Sequence, residues 1–395
     1  MKRILLLLAV VLLFAAEFAT VYFIMPFPGS QENDSLPFAY WLHHNISWIR
    51  ALLLVAIIWL LLPRLRSGSR GGKIVWAVIA LLYGALFYMV HFQMKADKMF
   101  YQPGTVLLQP AASNAVDTNK LVIGVVVNGE ARAYPIQMIG YHHQVRDSIG
   151  NTPIMVTYCT VCRTGRVFSP IVNGRTENFR LVGMDHFNAM FEDETTKSWW
   201  QQATGLAVAG PLKGIQLTEI PSSQVQLDAW LRQYPQSLVL QGDSNFSDKY
   251  TRMDSYDKGS GQSDLTRRDS SSWKNKSWVL GIDHAGINKA YDWNELVTRR
   301  CINDSAGDKA WLVMVEKDSS SFHAYDRRVD SLRLVMVPEE DGLRDQQTGS
   351  SWNTDGLAID GPLKGKQLQR LPAYQEFWHS WRHFHPGTVP YGESR

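Results

Sequence analysis

The chain has 395 residues, 45% hydrophobic and 19% charged, which excludes a disordered or collagen-like protein and exceeds the roughly 250 residues that one hydrophobic core organises. Its formal charge of +3 is local, because residues 1–92 hold seven Lys/Arg and three Asp/Glu, leaving 33 against 34 for the rest; that near-balance gives nucleic acid nothing to grip. Three cysteines, Cys159, Cys162 and Cys301, are too few for a disulfide scaffold or a multi-knuckle zinc protein.

The first expected element is an apolar run, Ile4 to Met25, whose only charge is Glu17. At 1.5 Å per residue it exceeds the roughly 30 Å of a bilayer core. No small-residue cleavage site follows it, which favours an uncleaved anchor over a signal peptide. Three spans are expected, at about residues 4–25, 47–63 and 74–92, with Arg50 snorkelling from the second. Lys2 and Arg3 precede the first, the loop from Pro26 to Ile46 has no Lys or Arg, and Arg64, Arg66, Arg70 and Lys73 follow the second. The positive-inside rule then puts the N-terminus in the cytoplasm and everything after residue 92 outside it, in the periplasm of a two-membrane cell. The membrane is thus the first expected partner. Glu17 has no evident partner in the other spans and reads as a buried, hydrogen-bonded carboxyl.

After a linker at 93–120 the chain repeats itself. Residues 121–168 align without gaps on residues 278–325 at a constant offset. Val122, Gly124, Gly129, Ala133, Tyr134, Asp147, Ser148 and Gly150 recur as Val279, Gly281, Gly286, Ala290, Tyr291, Asp304, Ser305 and Gly307. GLAVAGPLKGIQL from Gly205 recurs as GLAIDGPLKGKQL from Gly356. The repeats therefore cover 121–241 and 278–395, joined by a polar connecting loop at 242–277. Short alternating runs separated by turn residues, such as VIGVVV, Asn128-Gly129 and EARAYP, predict hairpins. Helices are expected over 222–233 and 374–384, each ended by a proline, Pro235 or Pro386. The fold class is α+β: a three-helix membrane anchor followed by a tandemly duplicated, mainly antiparallel-β soluble domain.

In VTYCTVCRTGRVF a chain reversal near Arg163-Thr164-Gly165 would bring the sulfurs of Cys159 and Cys162 together between two strands. No His follows Cys162, so the usual covalent c-type haem motif is absent. Three readings stand. In thiol redox chemistry one sulfur attacks and the other resolves. In metal binding, two thiolates with His142 or His143, and His186 or Met184 in reserve, would suit copper(I) or zinc, held or delivered without turnover. In the third the pair is a structural disulfide on a scaffold or receptor. The positions aligned with the cysteines are Glu316 and Ser319, so the fold does not need sulfur there. Cys301, aligned with Gln144, reads as a buried thiol. His379 and His383, four apart, have Asp228 and Arg232 as counterparts and read as a surface face. Trp199, Trp200, Trp352, Trp378 and Trp381 could form a sugar-binding platform, but core packing is the stronger reading.

TYCTVCRTGRVF, SWWQQATGLAVAGPLKG, DKYTRMDSYDKGSG, WVLGI, GINKAYDW, TGSSWNTDGLAIDGPLKG and FWHSWRHFHPGT together resemble the bacterial and archaeal domain-of-unknown-function family 3179, over Leu121 to Tyr391. The resemblance implies an extracytoplasmic protein. It places the family's Tyr-Cys-Pro-x-Cys-Gly knuckle on Tyr158, Cys159 and Cys162, and a preceding Trp-His pair on Tyr141 and His142. Thr160 stands for the proline and Arg163 for the glycine, which puts a tight metal-favouring knuckle in doubt. The expected work is thiol or electron exchange with a partner protein outside the cytoplasm; metal delivery to such a partner is the alternative.

Overall fold

Leucine-rich runs give three N-terminal helices in the computed structural model, which describes residues 1–261 and 263–393. Gln262 of the connecting segment, and Ser394 and Arg395 at the end of the second repeat, lie outside the described residues. The helices are α1 (Lys2–Tyr22), α2 (Leu36–Ser67) and α3 (Arg70–Tyr88), the last continuing into a π-helical stretch, Met89–Gln93. Each is long and apolar enough to cross a membrane. α2 starts at Leu36, well before the 47 expected from hydropathy. Pro37 sits in its first turn, where a missing N–H costs nothing and the fixed φ suits a helix start.

Glu17 is fully buried and, against the sequence expectation, has partners on both other helices. It accepts from Arg50 Nη2 at 3.1 Å and Tyr83 Oη at 2.8 Å, and its Oε2 lies 3.0 Å from His91 Nε2. None of these contacts is local in sequence, so no spacing could announce them.

The chain forms two units. One comprises residues 1–101, 177–201 and 206–216; the other comprises residues 102–176, 202–205 and 217–395. In the first, the strands run in the order Ala207–Ala209, Trp199–Gln201, Asn188–Asp193, Phe179–Asp185. Ile24 and Ala39 pack with Val182, Met190 and Trp199 of this sheet, and Met184 N donates to Ile24 O at 2.7 Å.

In the second unit the first six elements of the two repeats match in order. Leu121–Val127 and Glu130–Pro135 form a hairpin, followed by the helix Ile136–His142 and a sheet of Gln144–Ile149, Thr152–Cys159 and Thr164–Phe168. Their counterparts are Trp278–His284, Ile287–Asp292, Trp293–Arg299, Cys301–Ala306, Lys309–Val315 and Phe322–Asp326.

The recurring residues have physical reasons. A Cβ on Gly124 would meet Trp230 at 2.2 Å and one on Gly281 would meet Trp381 at 2.3 Å, so each glycine admits a buried indole. Tyr134 Oη donates to Asp147 Oδ2 at 2.7 Å, as Tyr291 Oη does to Asp304 Oδ2 at 2.8 Å. Asn128-Gly129 and Ala285-Gly286 all have positive φ, the conformation a two-residue hairpin turn requires.

The expected helices over 222–233 and 374–384 form only in their second halves, Leu227–Gln233 and Trp378–Phe384. Ser222–Gln226 and Tyr374–Phe377 are strands instead, antiparallel to Leu121–Val127 and Trp278–His284. Sheet edges that would otherwise expose unpaired N–H and C=O groups are closed by these strands, and that outweighs helical periodicity.

Candidate functional site

The two cysteines sit where the hairpin of the first repeat reverses. Cys159 ends one strand and pairs with Thr164, the first residue of the next, leaving Thr160 to Arg163 as the turn. Arg163 closes it at φ 57°, the left-handed region in which glycine is normally placed. The tight knuckle survives with arginine at that position because its side chain is anchored. Arg163 Nε donates to Gln375 Oε1 at 2.8 Å, and Nη2 donates to Asp257 O at 3.3 Å.

Distant residues occupy the turn carbonyls. Tyr256 Oη donates to Thr160 O at 2.8 Å, Lys276 Nζ to Val161 O at 2.7 Å, and Phe377 N to Cys162 O at 2.9 Å. Tyr256 and Lys276 come from the connecting segment and Phe377 from the second repeat. Lys276 Nζ also donates to Leu265 O at 2.5 Å and lies 3.2 Å from His379 Nε2. It thereby ties the segment over the turn.

The geometry brings the two sulfurs into hydrogen-bonding contact, with Ser380 hydrogen-bonded to Cys162. Both cysteines have zero solvent exposure. Burial, with the Cys159 sulfur beside it, holds the Cys162 thiol well above its ordinary value, while Ser380 and Lys276 pull the other way. Burial lowers the Lys276 ammonium to about 8, the sulfurs opposing the shift. The His379 imidazole is pushed down to about 3 by burial and then by Lys276. Beside the turn, Arg166 Nη2 donates to Glu376 Oε1 at 2.8 Å, and both side chains are buried.

Each histidine singled out from sequence has a polar contact, and His143 O accepts from Tyr158 N at 3.0 Å. His142 Nε2 lies 2.7 Å from Tyr250 Oη, and its ring meets those of Phe246 and Tyr250 edge-on. His143 Nδ1 lies 3.1 Å from Tyr141 O, and burial pushes its imidazole down to about 4. His186, in the first unit, lies 2.8 Å from Asp185 Oδ1. Among the described residues no three His, Cys, Asp or Glu side chains group to hold a metal ion. The His379 imidazole reaches the turn, its Nε2 3.2 Å from Val161 O, although its pairing with His383 reads in sequence as a surface face.

Cys301 is buried in the second repeat's core, its Sγ 3.7 Å from Met336 O, and burial pushes its thiol up to about 12. Trp199, Trp200, Trp352 and Trp381 are all buried, leaving no platform among them. Sequence reasoning missed Tyr256, Lys276, Gln375 and Ser380. Two signals were present: DKYTRMDSYDKGSG contains Tyr256, in a segment read only as a loop, and FWHSWRHFHPGT contains Ser380.

Residues 105–388 match the family of proteins of unknown function DUF3179. The chain belongs to that family. The match runs through both repeats and the connecting segment, so the DUF3179 region contains the cysteine turn and every group that clamps it, whereas α1 to α3 precede it. No curated protein and no solved structure matches this DUF3179 chain.

Proposed function

We propose that this DUF3179 protein is held in the cytoplasmic membrane by α1 to α3, faces outward, and exchanges electrons through a dithiol–disulfide couple formed by Cys159 and Cys162. The observation that carries the reading is the hydrogen-bonded pair of sulfurs at a clamped turn with the Lys276 amine beside it. The Lys/Arg pattern around the helices supports the outward orientation, and an oxidising compartment suits a dithiol couple.

The chemistry balances with a partner disulfide as oxidant. Once the turn is opened the Cys162 thiol gives its proton to water, and the thiolate attacks one sulfur of the partner, whose leaving thiolate takes a proton up. A mixed disulfide forms and one partner thiolate leaves. Cys159 then attacks the Cys162 sulfur, releasing the second partner thiol, so that two thiols of this chain and one disulfide of the partner become one disulfide and two thiols. Because both sulfurs are sealed, the exchange requires the 265–276 segment to lift from the turn.

Titration of the purified chain in dithiol buffers tests this. A potential above about −270 mV is expected; one below about −300 mV would mark a permanent staple. Elemental analysis of anaerobically purified protein gives the other outcome, since copper or zinc retained by wild type and lost in Cys159→Ser would replace exchange with metal holding.

A further inference from the structure

The sulfur turn and its counterpart in the second repeat are each met by the strand and helix near the end of the other repeat. Phe377 N reaches Cys162 O, while Gln226 N reaches Ser321 Oγ and Arg232 reaches Glu316. The repeat offsets pair Cys159, Cys162 and Arg166 with Glu316, Ser319 and His323, and pair Glu376 and Ser380 with Val225 and Ala229. The shared fold therefore requires neither an Arg166–Glu376 pair nor a hydroxyl at 380. Both occur at the turn that holds the sulfurs, and a buried ion pair is a weak source of stability in itself.

The Arg166 guanidinium holds Glu376 Oε1 at 2.8 Å, and Ser380 Oγ donates to Glu376 Oε2 at 2.7 Å. A carboxylate only accepts and a hydroxyl has one hydrogen, so with that hydrogen given to Glu376 the Ser380 oxygen is left to accept. Its partners are the Cys162 thiol and, at 3.4 Å, Thr164 Oγ1; two lone pairs accommodate both. The Cys162 sulfur, its own hydrogen directed at Ser380, accepts in turn from Cys159. Arg166, Glu376, Ser380 and the two cysteines thus form one hydrogen-bonded line whose direction the carboxylate sets. All five side chains are buried, where a lost partner leaves a polar atom unsatisfied.

We infer that Ser380, oriented by Glu376 and Arg166, is a positioning residue that favours the dithiol form of Cys159 and Cys162 over their disulfide. This rests on the exchange reading above. In the dithiol the line is complete. Oxidation removes both S–H hydrogens, so the Ser380 oxygen loses its donor in Cys162 while its bond to Glu376 stays. The lost bond belongs to the reduced form alone, and it raises the reduction potential of the couple. The disulfides able to oxidise this chain are then the strained or exposed ones of high potential, not structural staples.

The test equilibrates the full chain, in detergent and a Cys301→Ser background, with reduced and oxidised glutathione at fixed pH. After an acid quench, alkylation and mass spectrometry give the disulfide fraction. Ser380→Ala should shift the equilibrium toward the disulfide by about threefold or more. Alanine stands at the matching position of the first repeat, and loss of the Ser380–Glu376 bond weighs on both redox forms alike, so a merely structural serine would leave the equilibrium where it was. The S–H infrared band of the reduced chain, lowered by donation to oxygen, should move to higher wavenumber in the same variant. An equilibrium unchanged or shifted toward the dithiol, or an S–H band that stays in place, would overturn the role of Ser380 with the exchange still standing. A wild-type chain that forms no Cys159–Cys162 disulfide at any glutathione poise would end the exchange reading itself, and this inference with it.

Discussion

The guanidinium carbon of Arg163 lies 3.8 Å from the centroid of the Trp278 ring, joining the turn that carries the cysteines to the first strand of the second repeat. The stack helps to hold Arg163 at φ 57°, which costs a non-glycine residue about 1–2 kcal/mol. A cation over an indole contributes about 0.5–2 kcal/mol, and the bonds to Gln375 and Asp257 add to it. Arg163→Ala keeps the strain and loses the anchors, so the soluble part should lose about 2–3 kcal/mol in urea unfolding. Arg163→Gly loses the same anchors but sheds the strain, and should be more stable than the alanine variant by about 1 kcal/mol.

Arg166 and Glu376 form a buried pair at 2.8 Å, with Tyr374 stacked on the guanidinium at 3.4 Å. Removing one partner strands the other charge in a low-dielectric site. Glu376→Leu should therefore cost about 3–5 kcal/mol, while the double change Arg166→Met, Glu376→Leu should recover most of it. A double-mutant cycle by urea unfolding measures both; equal losses in the single and double variants would mean that Glu219, 3.7 Å away, carries the pairing instead.

How much of this was legible in sequence follows from which contacts are local. Gly124 with Gly281 and Tyr134 with Tyr291 recur because each repeat builds the same hairpin and the same Tyr–Asp bond, so self-comparison finds them. The sulfur pair was legible for the same reason, since two residues between cysteines at a strand reversal bring them together. The places of Lys276, Gln375 and Ser380 at the turn were not, because they reach it from the connecting segment and the second repeat, at separations where no period operates. The contact of His142 Nε2 with Tyr250 Oη at 2.7 Å joins residues 108 apart in sequence, and no spacing announces it.

In the helices, Glu17 and Arg50 form a buried pair that Tyr83 and His91 complete. Glu17→Leu leaves the guanidinium uncompensated among apolar helices and should cost about 2–4 kcal/mol in mixed-micelle unfolding, with Arg50→Leu restoring much of it in the double variant. If both single variants unfold with wild-type midpoints, the pair contributes nothing to the bundle.

His379 makes acid stability measurable. Its imidazole, faced by Lys276, Arg382 and His383, titrates near 3 when folded, against about 6.5 when unfolded. Between those values the unfolded chain binds the extra proton, so stability is complete above about pH 6.5 and falls as pH drops through the window. His143, pushed down to about 4, acts in the same sense. The raised carboxyls of Glu219 and Asp257 oppose it, because they keep their protons longer in the folded chain. Burial lowers His385 in the same sense; His379→Gln removes one of these histidine contributions, and urea midpoints measured from about pH 7 to about pH 4 should fall less steeply than in wild type.

Lys276 holds the connecting segment to the turn through Val161 O and Leu265 O, and both sulfurs beneath are inaccessible. In a Cys301→Ser background, alkylation by N-ethylmaleimide should therefore be slow and limited by opening of that segment. Lys276→Met keeps much of the apolar stem and removes the two carbonyl bonds, so the opening equilibrium should shift by about 1–3 kcal/mol. The alkylation rate at fixed pH should rise about tenfold or more, while the urea midpoint moves far less. A rate that follows only thiol ionisation, with the same pH profile in both proteins, would mean that the sulfurs are reached by another path and that Lys276 acts on their charge alone.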